Sequence, residues 1–237
     1  MQSHAELNTP GQIVRALAEQ VRRLEAGQRP TDVVSTGSQA LDDRLADRGL
    51  RRGSLVEFLA VPGGGATTLA LRAAQQACGN GAALVVMDPE GYFYPPAAAA
   101  WGIDLSRILL VRAENRQDEI WALDQALRCS GVAAVICWED QFDSRTFRRL
   151  QLAAETSGAL GLLVRSANEQ KQPSWAQVRL HVEPLPTSPP TLLATSNRRV
   201  QVHILRGYRS GGSRQVELEF DEQTGALKET NRLPASA

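Results

Sequence analysis

Short apolar runs alternate along the chain with longer segments of helical character. The runs Ser54–Ala60, Ala82–Met87, Ile108–Val111, Val132–Trp138 and Leu160–Arg165 read as strands, and Thr67–Cys78, Pro96–Trp101, Gln117–Ser130 and Ser144–Ser157 read as the helices between them. Runs apolar at nearly every position suit strands buried on both faces, so the pattern predicts an α/β fold with a mostly parallel central sheet. Beyond Arg165 the rhythm shortens. Ala176–Val182, Val200–Leu205, Arg214–Phe220 and Ala226–Glu229 read as antiparallel hairpin strands, and the four prolines of Pro184–Pro190 predict an extended loop. At the other end, Thr9-Pro10-Gly11-Gln12 supplies a cap, a proline at the first helical position and a glutamine three residues after the cap. The predicted helix runs to about Ala26 and gathers Ile13, Leu17, Val21 and Leu24 on one face, opposite Arg15, Glu19, Arg22 and Arg23. Two parts are therefore expected: an amphipathic helix with its linker over residues 1–34, and the α/β core with its C-terminal hairpins over residues 35–237.

Composition narrows the function classes. A chain of 237 residues with 43% hydrophobic content can bury a full core. No stretch of eighteen apolar residues occurs, and Met1–Asn8 lacks the apolar run of a signal peptide, so no membrane span and a cytoplasmic location are expected. Lys and Arg total 26 against 26 Asp and Glu. That balance argues against a protein that grips nucleic acid by bulk charge and leaves only weak or indirect DNA contact through local patches. Cys78, Cys129 and Cys137 are odd in number and have no metal-ligand spacing, so they read as buried small hydrophobes; His4, His181 and His203 are scattered, and no metal is expected.

One segment carries candidate chemistry. A strand, a glycine-rich turn and a helix opening with threonines form a phosphate cradle, because backbone N–H groups converge there. A working loop reads G-x-x-x-x-G-K-[ST]. In Ala60-Val61-Pro62-Gly63-Gly64-Gly65-Ala66-Thr67-Thr68, Ala60 replaces the first glycine and Ala66 replaces the lysine. Lysine neutralises the β/γ-phosphate charge, and electrostatic stabilisation is most of what such sites contribute to phosphoryl transfer. Lysines occur only at Lys171 and Lys228, so no displaced loop lysine exists; Arg51, Arg52 and Arg72 are poor substitutes because a rigid fork does not mimic an ammonium.

The surroundings of the loop resemble RecA-family recombinases. The segments that carry the likeness are Ser35–Asp42, Gly49–Glu57, Asp88-Pro89-Glu90 and Trp101–Leu109, with weaker matches from Val178 to the last hairpins. The resemblance implies a RecA-like P-loop core, with Glu90 at the position of the water-activating glutamate. It also implies that Trp138 stands where a magnesium-linked aspartate belongs, unless a one-residue slip brings in Asp140. Glu139–Ser144 and Ser166–Ser174 are too short to reproduce RecA's DNA-binding loops. A RecA-like chain with an Arg-rich leading helix, a degraded loop and shortened DNA loops is similar to the ImuA family, bacterial accessory proteins of translesion synthesis.

That resemblance implies a non-catalytic adaptor, a pseudo-ATPase of DNA-damage-induced mutagenesis. Its implied partners are RecA, an ImuB-like inactive Y-family polymerase relative and, indirectly, an error-prone α-subunit-type polymerase. No cofactor is required, and weak or structural ATP or ADP binding stays open. Two alternatives stand beside it: a weak DNA-dependent ATPase or recombinase using Glu90, and a SulA-like cell-division inhibitor. The site residues are then a degenerate loop (Gly63, Gly64, Gly65, Ala66, Thr67, Thr68) and vestigial metal or base positions (Asp88, Glu90, Trp138, Asp140). Leu17, Val21, Leu24, Arg199, Arg206, Tyr208 and Arg209 are candidate partner contacts, because exposed arginine and tyrosine concentrate binding energy. Arg145, Arg148 and Arg149 with Phe147 and Leu150 read either as a solvated helix face or as a further contact surface.

Overall fold

The computed structural model of the chain describes residues 33–186, 198–221 and 227–230; the expected N-terminal helix with Leu17, Val21 and Leu24 lies outside them. The strands of the main sheet are β3 (Leu55–Ala60), β4 (Ala83–Met87), β5 (Ile108–Val111), β6 (Val132–Trp138), β7 (Leu160–Ser166), β8 (Val178–Leu185), β9 (Arg198–Arg206), β10 (Gln215–Phe220) and β11 (Leu227–Glu229). Their order is β11-β10-β9-β8-β3-β7-β6-β4-β5. The section from β8 to β5 is parallel, and β8 to β11 is antiparallel. A small ribbon, β1 (Val33–Val34) with β2 (Leu50–Arg51), precedes it and frames the short helix α1 (Gln39–Asp42). The chain divides into residues 1–32 and 33–237, so Val33 and Val34 join the larger part through this pairing.

Helices α2 (Ala66–Ala77), α3 (Pro95–Ala100), α4 (Arg116–Arg128) and α5 (Ser144–Ser157) connect the parallel strands. Local chemistry sets their ends. Asn115 and Asp143 accept from the N–H groups of Asp118 and Thr146 at 3.0 and 2.9 Å, and Gly158 closes α5 in the left-handed region at φ 84°. Because side chains alternate along β3, Val56 and Phe58 enter one core with Leu69, Val86, Ile136 and Leu180. Leu55 enters the other, with Leu123, Leu127, Phe147 and Leu150 of α4 and α5. The sheet is thus covered on both faces from β3 to β4, while the edge strand β5 leaves Leu109 and Leu110 exposed. In β9 and β10 the alternation is apolar-in and polar-out, with Val200, Val202, Val216 and Leu218 buried, which is the pattern of a sheet covered on one face.

Two expectations are corrected. Pro184 belongs to β8, opposite Val200, rather than to a loop. The pairing of β8 with β3 ends at Val182, so Pro184 has a strand neighbour on one side only, and its missing N–H breaks no ladder bond there. Cys129 is exposed, not buried, because α4 stops at Arg128, before the expected Ser130. Burial pushes the Cys78 thiol up to about 11 and the Cys137 thiol well above its usual value, so both stay protonated and unreactive at neutral pH.

Candidate functional site

β3 ends at Ala60 and α2 begins at Ala66, at the carboxyl end of the parallel strands, where open α/β sheets place ligands. The turn between them is tight: the Gly64 N–H donates to Val61 O at 2.8 Å. A Cβ on Gly64 would lie 2.8 Å from that same oxygen, and Gly65 caps α2 at φ 99°. Backbone geometry alone requires glycine at both positions. Ala66 is 4% exposed and belongs to the apolar core cluster. Thr67 is half-buried, and its hydroxyl oxygen accepts from the Trp138 indole N–H at 3.2 Å. Trp138 closes β6 and packs against the same cluster, so an aromatic ring and an indole N–H stand over the loop threonine.

The loop borders a hollow of about 910 Å³ lined by residues 60–68, Tyr92, Arg116, residues 138–141, residues 164–166 and Arg198. Its cations come from distant parts of the chain. Arg116 faces Glu139 at 3.5 Å. Arg51 pairs with Asp47 at 3.1 Å, Arg52 donates to Ala77 O and Arg72 to Gln75 Oε1, and none of these three lines the hollow. Asp140 also faces inward at the rim, but its Oδ1 accepts from the Ser166 N–H at 2.5 Å, which ties it to the end of β7.

The remaining two acidic positions sit apart from the loop. The Asp88 carboxylate is fully enclosed; Oδ1 accepts from the N–H groups of Tyr92 and Phe93 at 2.6 and 3.2 Å, and Arg112 stands 3.6 Å from Oδ2. Asp88 therefore organises the turn through Gly91. Glu90, next to that turn, is exposed and is not among the residues lining the hollow.

Under the rim lies a buried ion cluster. Glu57 of β3 accepts from Arg165 of β7 through Oε1 and from Arg179 of β8 through Oε2. Arg165 also donates to Asp140 O and reaches Glu169 at 3.2 Å, while Arg179 donates to Glu169 O and Gln172 O at 3.1 and 3.3 Å. Two guanidiniums and two carboxylates balance in charge. Together they pin the short turn Ala167–Lys171, which connects β7 towards β8 where a longer DNA loop was expected to be cut short. Arg116 and Arg165 at the hollow escaped the sequence reading. A signal existed for Arg165, because Glu57, Arg165 and Arg179 are charged residues inside apolar runs, and such residues must find one another.

Glu119 of α4 is also buried, with Oε1 unpartnered. Its pKa is raised, first by burial and then by the Glu139 charge, against a lowering influence of Arg116; Glu90 raises it further. The ionised form is therefore the disfavoured one in the fold. The penalty is present above the folded pKa and disappears as pH falls below the unfolded value. Glu119→Gln is expected to raise Tm at pH 8, each kcal/mol gained adding about 2–4 °C, and the gain should shrink in melts taken at falling pH. A gain independent of pH would mean that charge is not its source.

The C-terminal candidates separate in space. Arg199 pairs with Glu217 at 3.0 Å near the start of β9. Arg206, Tyr208 and Arg209 lie at its far end, roughly 23 Å away along an extended strand. There Arg206 donates to Ser174 O and Ala176 O, and the Arg214 guanidinium stacks 3.7 Å above the Tyr208 ring.

The fold and this loop define the class. The RecA N-terminal domain profile matches residues 12–144, more than half of the chain, and the chain belongs to that family. It is 32% identical over 109 residues to RecA of Streptomyces venezuelae and 34% over 104 residues to RecA of Chlorobaculum tepidum. Those matches cover 46% and 44% of this chain but only 29% and 30% of the relatives, so the chain spans about a third of their length. A longer likeness is to ImuA of Caulobacter vibrioides, 28% identical over 211 residues, covering 80% of this chain and 85% of that protein. The crystal structure of the RadB recombinase shares the fold, with a TM-score of 0.63 and 19% identity over 84% of this chain and all of that one.

Proposed function

We propose that this protein is a non-catalytic, cytoplasmic adaptor of DNA-damage-induced translesion synthesis. It binds RecA and an ImuB-like polymerase relative and reaches an error-prone α-subunit-type polymerase indirectly. The observation that carries the reading is the Trp138–Thr67 contact beside Ala66. The lysine position is an alanine in the core, and the hydroxyl that would serve a metal-bound phosphate is covered by an indole. Loss of one electrostatic stabiliser commonly lowers turnover by about 10²–10³-fold, and two are missing. The extent of the ImuA likeness, 85% of that protein, supports the adaptor over a SulA-like inhibitor. Among the described residues no helix is long and apolar enough to cross a membrane, which is compatible with the location. ATP or ADP held in the hollow without turnover is equally compatible.

Purified full-length protein with magnesium and ATP is expected to release phosphate at the buffer rate, and Ala66→Lys is expected to leave it there because Trp138 still covers Thr67. ATP hydrolysis that disappears in Glu90→Gln overturns the reading in favour of a weak ATPase. The adaptor itself is expected to co-purify with the ImuB-like protein and with RecA in separate pull-downs; absence of both partners ends the proposal.

A further inference from the structure

The pair of helices α4 and α5 leaves large side chains open to solvent next to the hollow at the loop, with Arg116 lining both that hollow and the helix surface. Trp121 of α4 is 63% exposed, Leu152 of α5 is 44% exposed, and Trp175, in the segment before β8, is 45% exposed. Apolar groups of this size cluster on a surface mainly where something covers them. Two shallow hollows run between and along the helices. One, of about 520 Å³, holds Ile120 and Trp121; the other, of about 550 Å³, holds Arg145, Arg148 and Leu152. Thr146 and Arg149 line both, so they form one trough.

Four arginines, Arg116, Arg145, Arg148 and Arg149, line this trough against one acid, Asp143. Arg149 shares Asp124 with Arg128, at 3.3 and 2.9 Å. Arg145 and Arg148, three residues apart on α5, form no ion pair among the described residues. Asp143, the one acid lining the trough, accepts from Thr146 with both oxygens at 2.9 and 2.7 Å and offsets part of the Arg145 charge, which leaves Arg148 without a carboxylate partner among the described residues. Arg148 lies 4.9 Å above the Trp175 ring, and the Trp175 indole N–H donates to Ser144 Oγ at 3.2 Å, so the cation and its platform are held in place before any partner arrives. The chain as a whole has no net charge, and the excess here is local.

We infer that the α4–α5 face docks an acidic segment of a partner protein that carries a large apolar side chain. Carboxylates would meet Arg145 and Arg148 through charge-assisted bonds, and the apolar group would cover Trp121 and Ile120. Nucleic acid fits less well, because Ile120, Trp121 and Leu152 give the trough apolar surface that a Leu or Phe side chain matches and a sugar-phosphate backbone does not. The inference does not rest on the adaptor reading, whose surfaces are the N-terminal helix and the C-terminal turn.

A random dodecapeptide library displayed on phage and selected on the full-length chain tests it. Enrichment of sequences rich in Asp and Glu around a Leu, Phe or Trp is expected. A selected peptide should bind at least about tenfold more weakly to Arg148→Glu and, separately, to Trp121→Ser, with affinity falling as salt rises. Both positions are exposed, so either variant alone carries the test if the other fails to fold. No enrichment, neutral or basic winners, or peptides that bind the wild type and both folded variants alike would overturn the inference. So would a single-stranded oligonucleotide that binds the wild type, displaces the peptide and loses affinity in both variants, which would assign the face to nucleic acid.

Discussion

Glu57→Ala is expected to cost about 3–5 kcal/mol of stability, because it leaves Arg179 with no carboxylate and Arg165 with Glu169 alone, and neither has much water to turn to. The Glu57 side chain is 0% exposed, and those of Arg165 and Arg179 are 2% and 8% exposed. Each arginine has other contacts, but these are mostly backbone carbonyls, which cannot neutralise it. Thermal unfolding followed by circular dichroism reads the effect, with each kcal/mol lowering Tm by about 2–4 °C. The combined variant Glu57→Leu, Arg165→Met and Arg179→Met is expected to be much milder, since buried charges exchanged together for apolar groups are often close to neutral and the remaining Glu169 reaches solvent. A cost below about 1 kcal/mol for Glu57→Ala, the range of a surface pair, would show that water reaches the cluster.

Tyr208→Ala combined with Arg209→Glu is expected to weaken binding of the full-length protein to the proposed ImuB-like partner at least about thirtyfold, the loss of one hot spot worth 2 kcal/mol. The tip they occupy is held rather than loose. Tyr208 bridges to Leu45, the Arg209 N–H donates to Arg44 O at 2.8 Å, and Gly207 turns the chain at φ 82° where a Cβ would lie 2.9 Å from Gln177 O. A Tyr208 ring already fixed under Arg214 loses little entropy on binding. Titration calorimetry with both variants reads the effect, and unchanged melting curves show that the tip still folds. If Arg199→Glu, at the other end of β9, weakens binding as much, the contact is the sheet face rather than the tip.

The parts of the fold legible in the sequence are those with a sharp physical signature. The Val132–Trp138 run follows Gly131, and α5 lies between the Asp143 cap and Gly158; both elements have the expected bounds. The β1–β2 ribbon is two residues long on each side, too short to show any periodicity. Pro184 looked like a loop residue because the tolerance of a strand for proline depends on whether a neighbour needs its N–H, which only the sheet order reveals. At the site, the loop glycines and Ala66 were readable because they are contiguous. The role of Trp138 depends on the resemblance for its alignment and on the fold for its contact with Thr67, 71 residues away. Arg116, Arg165 and Arg198 converge on the hollow from three separate elements, and no local pattern announces that meeting.

The arginine clamp on the turn Ala167–Lys171 has a consequence for timing. In a nucleotide-driven switch a γ-phosphate chooses between two loop states, and its loss sets a clock; a ligand can do this only by favouring one state over another. Here the turn is fastened by the chain's own guanidiniums. On the proposed adaptor reading, a protein built this way keeps no internal clock. How long it holds a partner is set by the dissociation rate, and how often it does so by how many copies the cell has made.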